Sequence, residues 1–236
     1  MTSPGYYDLL EMLPQPGCAL CRLLQRDTAR HLDTLLYEFV LDTKIQGKFR
    51  ASRGLCNEHG HQLTRQGNVL GIAALYFAAF TDVLDVIDRN PVSSSGRGSL
   101  WKNEPSGSGL AKALEPTGVC MTCKFRDENE ARYLREISDH LHEEKFFDIY
   151  RSADGLCLPH FRALLRVIPS GEQAKRVTAA QRGIWQRLQD ELSEFMRKSD
   201  FTNVAETMGA EGDSWRRAVA RLSGEDGVFG IQHEDD

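Results

Sequence analysis

Six cysteines and two histidines of this chain fall into two copies of one pattern. Each copy begins with a C-x-x-C pair and ends with the sequence G-L-C-x-x-H, and the two intervening spacings agree to within one residue. No cysteine lies outside the two copies. Such repetition of a ligand spacing favours metal binding. The candidate ligands are Cys18, Cys21, Cys56, His59, Cys120, Cys123, Cys157 and His160.

Three thiols and one imidazole are available in each copy, and Zn²⁺ accepts this set in tetrahedral geometry. Four protein ligands leave no coordination position for a substrate, so the pattern indicates a structural metal. We expect the ligands of each copy to bind one ion, which gives two Zn²⁺ per chain. The two expected quartets are Cys18, Cys21, Cys56 and His59, and Cys120, Cys123, Cys157 and His160.

Each ligand pair is predicted to lie at the start of a helix. Leu20, Leu23 and Leu24 follow the first pair at helical spacing, and Gly54 permits a tight turn before Cys56. Two ligands three residues apart lie on one side of the first helical turn, where the helix dipole favours thiolate over thiol. Each site is therefore expected to join the first turns of two helices.

The energy available from such a site is large compared with the stability of a domain. Cross-linking a loop of about 35 residues contributes roughly 3–4 kcal/mol in the chain-entropy model. Small zinc fingers gain about 10–16 kcal/mol from the metal, whereas whole domains are stable by only about 5–15 kcal/mol. Loss of one ligand is therefore expected to unfold the part of the protein around it.

Other uses of the cysteines are an iron–sulfur cluster, three disulfides or reduced thiols. Iron–sulfur sites usually have four cysteine ligands, and a disulfide would not explain a histidine at the same place in both copies. The first residues do not form a signal-peptide pattern, so we expect a cytoplasmic location in which disulfides are disfavoured.

Composition is ordinary for a soluble globular protein, with 236 residues, 41% hydrophobic and 27% charged. The net charge of −5 argues against general binding to nucleic acid. The most apolar stretch runs from Val69 to Val86 but includes Asp82 and Asp85, so it predicts a buried helix and no membrane span.

Apolar residues recur with helical spacing through both copies, and no strand pattern is present. In each copy, the spacing of apolar residues predicts a long helix, a shorter helix, the C-x-x-H turn and another long helix. The predicted fold is all-α, a helical bundle made of duplicated repeats that are each stapled by a Cys3His site. The predicted divisions are a first repeat at 1–90, a Ser/Gly/Pro-rich linker or loop at 91–118, a second repeat at 119–199 and a tail at 200–236.

Two tryptophans lie in the less regular parts. Trp101 falls in the predicted linker, where it packs back on the domain or contacts a partner. The tail contains one amphipathic helix from Asp213 to Leu222, with Trp215, Val219 and Leu222 on its apolar side. That side is expected to dock on the bundle, the alternative being a partner-binding helix.

The chain resembles a family of uncharacterised bacterial proteins with paired C-x-x-C…G-[L/F]-C-x-x-H repeats in an α-helical setting. The resemblance covers most of the chain. It rests on the eight candidate ligands, on Gly54 and Gly155, and on the tail sequence Asp213-Ser214-Trp215-Arg216-Arg217. It implies metal binding and a helical fold, and it implies no particular activity.

Enzymatic motifs are absent from the sequence, with no phosphate-binding glycine loop and no nucleophile elbow. His140 and Glu143 could form an acid–base pair on one helix face, although such pairs are more often solvated surface groups. His61 could replace His59 as a ligand. The sequence favours a non-catalytic, zinc-stabilised interaction or adaptor module that binds a protein partner. The alternatives are a thiol/zinc redox switch and an iron–sulfur electron carrier or sensor.

Overall fold

A computed structural model of the chain describes residues 3–92, 106–203 and 206–229. These residues form eleven α-helices and three short 3-10 helices, and no strand occurs among them, which confirms the all-α prediction. The α-helices are α1 (Pro4–Met12), α2 (Ala19–Tyr37), α3 (Thr43–Ala51), α4 (Asn57–Leu63), α5 (Val69–Arg89), α6 (Ser108–Leu114), α7 (Met121–His140), α8 (Glu144–Ser152), α9 (Leu158–Val167), α10 (Gly171–Lys198) and α11 (Ser214–Ser223).

Polar side chains cap several of these helices at their N-termini. The Asp42 carboxylate accepts hydrogen bonds from the first backbone N–H groups of α3, Asn68 accepts from Gly71 in α5, and Ser170 accepts from Gln173 in α10. Each cap satisfies a backbone donor that the helix itself leaves unpaired. These three helix starts are predictable from the sequence.

The chain forms two compact units that do not follow the order of the two sequence copies. Unit 1 combines Met1–Asp27 with Asp127–Asp236, and unit 2 is Thr28–Arg126. Both boundaries fall inside helices, in α2 and in α7. Each unit therefore contains one C-x-x-C pair and the G-L-C-x-x-H sequence of the other copy.

Unit 1 has a core of leucines and aromatic residues. Leu9, Tyr133, Phe146 and Tyr150 are fully buried there. The hydroxyl of Tyr133 donates to the Asp27 carboxylate at 2.7 Å, which satisfies a polar group at the edge of this core. Cys18, Cys21 and Cys157 belong to the same buried cluster, so the candidate ligands of unit 1 are part of its core.

Unit 2 has a smaller core built from α2, α3, α4 and α5. Its buried members include Leu32, Leu36, Phe49, Leu63 and Leu75. Phe49 meets Tyr76 edge to face, with ring centroids 5.1 Å apart. The end of α4 therefore lies against the same core as the buried side of α5.

The prediction that the apolar stretch of α5 is buried is wrong for most of its surface. Only 17% of the most apolar window in this helix is buried. By length and composition α5 could cross a membrane, but Gly71, Leu75 and Ala79 pack into the unit 2 core and Asp82 pairs with Arg53. The helix thus buries one side and exposes the other, although most of its residues are apolar.

Part of the predicted linker is ordered helix. Helix α6 occupies Ser108–Leu114 and lies against α5. Beyond it, the backbone N–H groups of Thr117 and Gly118 both donate to the carbonyl of Ala51, at 2.8 and 3.1 Å. The end of the predicted linker is thus an integral part of unit 2, and Trp101 lies outside the described residues.

The tail helix α11 forms as predicted and ends before Gly224, whose φ is 85°. It packs on α9 and α10, but the predicted docking side is wrong, because Trp215, Val219 and Leu222 are exposed. Ser214 and Arg221 are the buried residues of this helix. Its apolar side is therefore largely exposed in the described part of the chain.

Candidate metal centres

All eight predicted ligands lie in two clusters, but the predicted grouping by sequence copy is wrong. Each C-x-x-C pair lies beside the C-x-x-H pair of the other copy, and the four ligand atoms of each cluster are within 4.8 Å of one another. Cluster 1, in unit 1, consists of Cys18, Cys21, Cys157 and His160. Cluster 2, in unit 2, consists of Cys56, His59, Cys120 and Cys123.

Unequal helix lengths accompany the exchange of ligands. After Cys21 the chain continues along α2 to Tyr37, which is about 24 Å at the rise of an α-helix. The next helix, α3, has only nine residues and covers about 14 Å. The second copy has the same combination of a long α7 and a nine-residue α8.

Cluster 1 is completely buried. The Nδ1 atom of His160 lies 3.4 Å from the Sγ atoms of Cys18 and Cys21 and 3.2 Å from that of Cys157. The sulfurs of Cys21 and Cys157 are 3.7 Å apart. Solvent has no access to any of the four side chains.

Cluster 2 has the same geometry with more exposure. Nδ1 of His59 lies 3.2 Å from the sulfur of Cys56, 3.3 Å from that of Cys123 and 3.7 Å from that of Cys120. Cys56 and Cys123 have their sulfurs 3.5 Å apart. His59 is buried, whereas the three cysteines are half-buried.

These separations fit a tetrahedral metal ion. With Zn–S of about 2.3 Å and Zn–N of about 2.0–2.1 Å, ligand atoms around Zn²⁺ lie about 3.8 Å apart for two sulfurs and about 3.6 Å for sulfur and nitrogen. In both clusters Nδ1 faces the sulfurs, while the buried Nε2 of His59 has no hydrogen-bond partner among the described residues and that of His160 lies 3.6 Å from Glu130 Oε1. The donor atoms are thus arranged around a common centre, and all six cysteines are free of disulfides.

The backbone places every ligand pair in the same way. The first cysteine of each pair directly precedes the first residue of a helix, and its backbone carbonyl accepts a hydrogen bond from the backbone N–H four residues later. These cysteines are Cys18, Cys56, Cys120 and Cys157. The second ligand of each pair then lies three residues on, in the first turn. Four helix N-termini, two at each cluster, therefore point their positive dipole ends toward the sulfurs and stabilise thiolates.

Mutual hydrogen bonding also perturbs the titration of the clusters. Burial by itself lowers the pKa of His160, but hydrogen bonds to the sulfurs of Cys157 and Cys18 outweigh it and raise that pKa to about 10. Burial also tends to lower the pKa of His59. Hydrogen bonds to the sulfurs of Cys120 and Cys56 outweigh burial and raise that pKa to about 9. Both clusters thus concentrate negative charge and favour a cation at their centres.

A buried glutamine holds the loop that carries Cys157. The side-chain oxygen of Gln181, in α10, accepts from the Leu156 N–H at 3.0 Å and from the Tyr150 hydroxyl at 2.6 Å. Its Nε2 donates to the Leu156 carbonyl at 3.1 Å. The loop turns at Gly155, whose φ of 67° favours glycine. A Cβ at this position would also clash with the side chain of Gln181. Gln181 therefore positions Cys157 without touching it.

Replacement of Gln181 by leucine is expected to lower the free energy of unfolding by about 3 kcal/mol, because Leu156 and Tyr150 would keep buried polar groups without partners. The measurement is urea unfolding of the metal-loaded chain. The matched control is Gln189→Leu on the exposed side of the same helix, which should stay within about 0.5 kcal/mol. Equal stability of the two variants would contradict the positioning role.

A second anchor joins three segments of unit 1. The Asp154 carboxylate accepts from the backbone N–H of Gly17, just before Cys18, at 2.9 Å. It also accepts from the guanidinium of Arg221, in α11, at 2.8 Å. Asp154 directly precedes the G-L-C sequence, and this adjacency is the only sequence signal for its role. Gln181 has no such signal, since it is one glutamine among several in a long helix.

The other histidines that the sequence singles out do not join the clusters. His61 is exposed on α4 and supplies no ligand atom to cluster 2. The predicted pair of His140 and Glu143 does form, with Nδ1 and Oε1 2.7 Å apart. The His140 ring also packs 4.3 Å from that of Tyr6, and its Nε2 lies 3.6 Å from Glu136. These contacts give the pair a structural role at the junction of α1 and α7.

One histidine outside the predictions, His31, lies in unit 2. Its ring stacks on Phe125 with centroids 4.2 Å apart and planes 10° from parallel. Burial, and the proximity of His59, lower its pKa, so His31 is neutral at physiological pH. It contributes an uncharged, flat surface to the part of unit 2 that contains His59.

Comparison with known proteins identifies the family of this chain. A family model described as a family of unknown function (DUF6062) matches residues 11–227, so the chain belongs to that family. No curated protein and no solved structure matches the chain.

Proposed function

We propose that this member of a family of unknown function is a non-catalytic helical protein that binds one Zn²⁺ in each cluster and binds a segment of another protein. The observation that carries the metal assignment is the convergence of three sulfurs and one Nδ1 in both clusters. Three thiolates and one imidazole suit Zn²⁺, and the free thiols support a cytoplasmic location.

Zinc would supply a cross-link at each cluster and no reaction centre, since four protein ligands fill its tetrahedral positions. In unit 1 it would tie the start of α2 to the start of α9, and in unit 2 the start of α4 to that of α7. Both links join segments far apart in sequence. The ligands therefore act by fixing helix ends, which leaves function to the surfaces that those helices support.

The partner site proposed here is an apolar groove in unit 1, with a volume of about 540 Å³. Helices α9, α10 and α11 line it, and its apolar walls include Phe161, Trp185, Leu192 and Leu222. The rings of Phe161 and Trp185 meet edge to face at 5.4 Å, which gives the groove a rigid aromatic wall. Its size is in the range of sites that bind apolar groups.

Charge at the groove favours an acidic partner. Two arginines, Arg182 and Arg221, line it, and no carboxylate does. Arg221 is occupied by its ion pair with Asp154, whereas Arg182 is exposed and makes no ion pair with the described residues. An amphipathic helix with an acidic polar side would place apolar side chains in the groove and a carboxylate beside Arg182.

Elemental analysis and a visible spectrum of the purified chain test the metal. The expected result is two zinc ions per chain and no visible absorption band. Iron with a visible charge-transfer band would overturn the zinc assignment in favour of an iron–sulfur protein.

Fluorescence anisotropy with a labelled model helix of leucine and glutamate tests the groove. The zinc-loaded chain is expected to bind this peptide and to reject a leucine–lysine peptide of the same pattern. Arg182→Glu should weaken binding at least about tenfold because it reverses the charge at the groove. Arg187→Glu, the same change on the same helix outside the groove, should leave binding unchanged. Failure to bind the acidic peptide, or equal effects of both variants, would overturn the partner site.

A further inference from the structure

Helix α5 has a continuous apolar stripe on its exposed side. The stripe consists of six exposed residues, which are Leu70, Ala73, Phe77, Phe80, Leu84 and Ile87. Leu70 is 81% exposed, Phe77 76% and Phe80 63%, values unusual for large apolar side chains that lie together. The opposite side of the helix packs on the unit 2 core through Gly71, Leu75 and Ala79. The stripe is therefore an exposed apolar surface of the kind that binds a further molecule.

Spacing along the stripe indicates what covers it. Successive members are separated by three, four, three, four and three residues, which is the a/d pattern of a coiled coil. The stripe extends over nearly all of a helix about 31 Å long. A partner helix that packs along this side would contact a single seam of this kind.

The stripe is complementary to itself when two copies run antiparallel. A twofold axis midway between Phe77 and Phe80 pairs Phe77 with Phe80 of the second copy. The same axis pairs Leu70 with Ile87 and the small Ala73 with the larger Leu84. Antiparallel coiled coils pair a positions with d positions in this way, and every layer here joins side chains of compatible size.

Charge along α5 also selects the antiparallel arrangement. Asp85 pairs with Arg89 at 3.2 Å, whereas Asp88 is exposed near the C-terminal end, and the first turn contains no acidic residue. An antiparallel partner places the Asp88 carboxylate beside the positive N-terminal end of the other helix, which is favourable. A parallel partner would instead bring the two Asp88 carboxylates together.

We propose that a second copy of this chain covers the α5 stripe, forming an antiparallel, twofold-symmetric homodimer. The contact uses only unit 2 residues and shares no residue with the Cys/His clusters or the groove. Each copy contributes the same six apolar side chains, as an isologous interface requires.

Light scattering after size-exclusion chromatography of the zinc-loaded full chain tests this proposal. The expected mass is twice the 26.6 kDa of one chain. Phe80→Glu should raise the dissociation constant at least about 100-fold and yield monomer, since it places a charge in the central layer. Phe201→Glu changes a still more exposed phenylalanine outside the stripe and should leave the dimer intact. Far-UV circular dichroism and zinc content should match in both variants.

Cysteine cross-linking tests the direction of the helices. A mixture of Ala73→Cys and Leu84→Cys chains should form a disulfide between the two variants, whereas Ala73→Cys alone should not cross-link to itself. Self-linking of Ala73→Cys would show a parallel pair and overturn the proposed register. A monomeric wild-type chain would overturn the dimer, and so would a wild-type chain that floats with phosphatidylcholine vesicles while Phe80→Glu does not.

Discussion

Replacing Cys21 and Cys157 together by serine is expected to remove one zinc ion per chain and to leave the other in place. The two residues come from different copies of the sequence pattern, but their sulfurs lie 3.7 Å apart in cluster 1. Once Cys21 is lost, the further loss of Cys157 affects the same ion. If each copy bound its own ion, as the spacing alone predicts, the same two substitutions would damage both sites.

The reciprocal pair is the control for this experiment. Cys21 and Cys56 belong to one copy of the pattern but lie in clusters 1 and 2 respectively. Cys21→Ser with Cys56→Ser should therefore lower the content from two zinc ions toward none. Elemental analysis after desalting measures the difference. One zinc left by the Cys21/Cys56 pair and none by the Cys21/Cys157 pair would contradict the exchanged clusters.

The ligands of both clusters are recognisable from sequence because their types and spacing are demanding. A thiol or imidazole three residues after another, at a helix start, has few alternative explanations. Their grouping is a different problem. The two copies have nearly equal spacings, so both combinations provide three thiols and one imidazole at each site. The combination depends on the tertiary fold, in which α2 and α3 have unequal lengths of about 28 and 14 Å.

Helix α5 shows a second limit of sequence analysis. Its residues are apolar enough to predict burial, and the period of its stripe is present in the sequence. However, exposure depends on how many neighbours the fold supplies, and α5 receives them on one side only. The same holds for α11, whose apolar side is turned outward while Arg221 is buried on Asp154. Small residues help to dock α5, and an ion pair helps to dock α11. Hydrophobic periodicity detects neither kind of contact.

His160→Ala is expected to cause the largest loss of stability of any single histidine substitution. The imidazole of His160 is completely buried among three cysteines that belong to the unit 1 core. Its removal would leave three thiolates in an apolar environment around an ion with an incomplete shell, so zinc affinity should fall by orders of magnitude. Because metal binding of about 10–16 kcal/mol is comparable with the whole stability of a domain, unit 1 should lose cooperative unfolding.

His59→Ala and His61→Ala complete the test. His59 has the same place in cluster 2, where the cysteines are only half-buried, so its loss should release one zinc with a smaller drop in melting temperature. Water can reach those thiolates and reduce the cost of leaving them charged. His61, two residues away and exposed, should change neither zinc content nor melting temperature. Thermal unfolding with elemental analysis measures all three. Loss of zinc from His61→Ala with retention by His59→Ala would show that the wrong histidine is assigned to cluster 2, and full retention by all three would refute ligation by histidine.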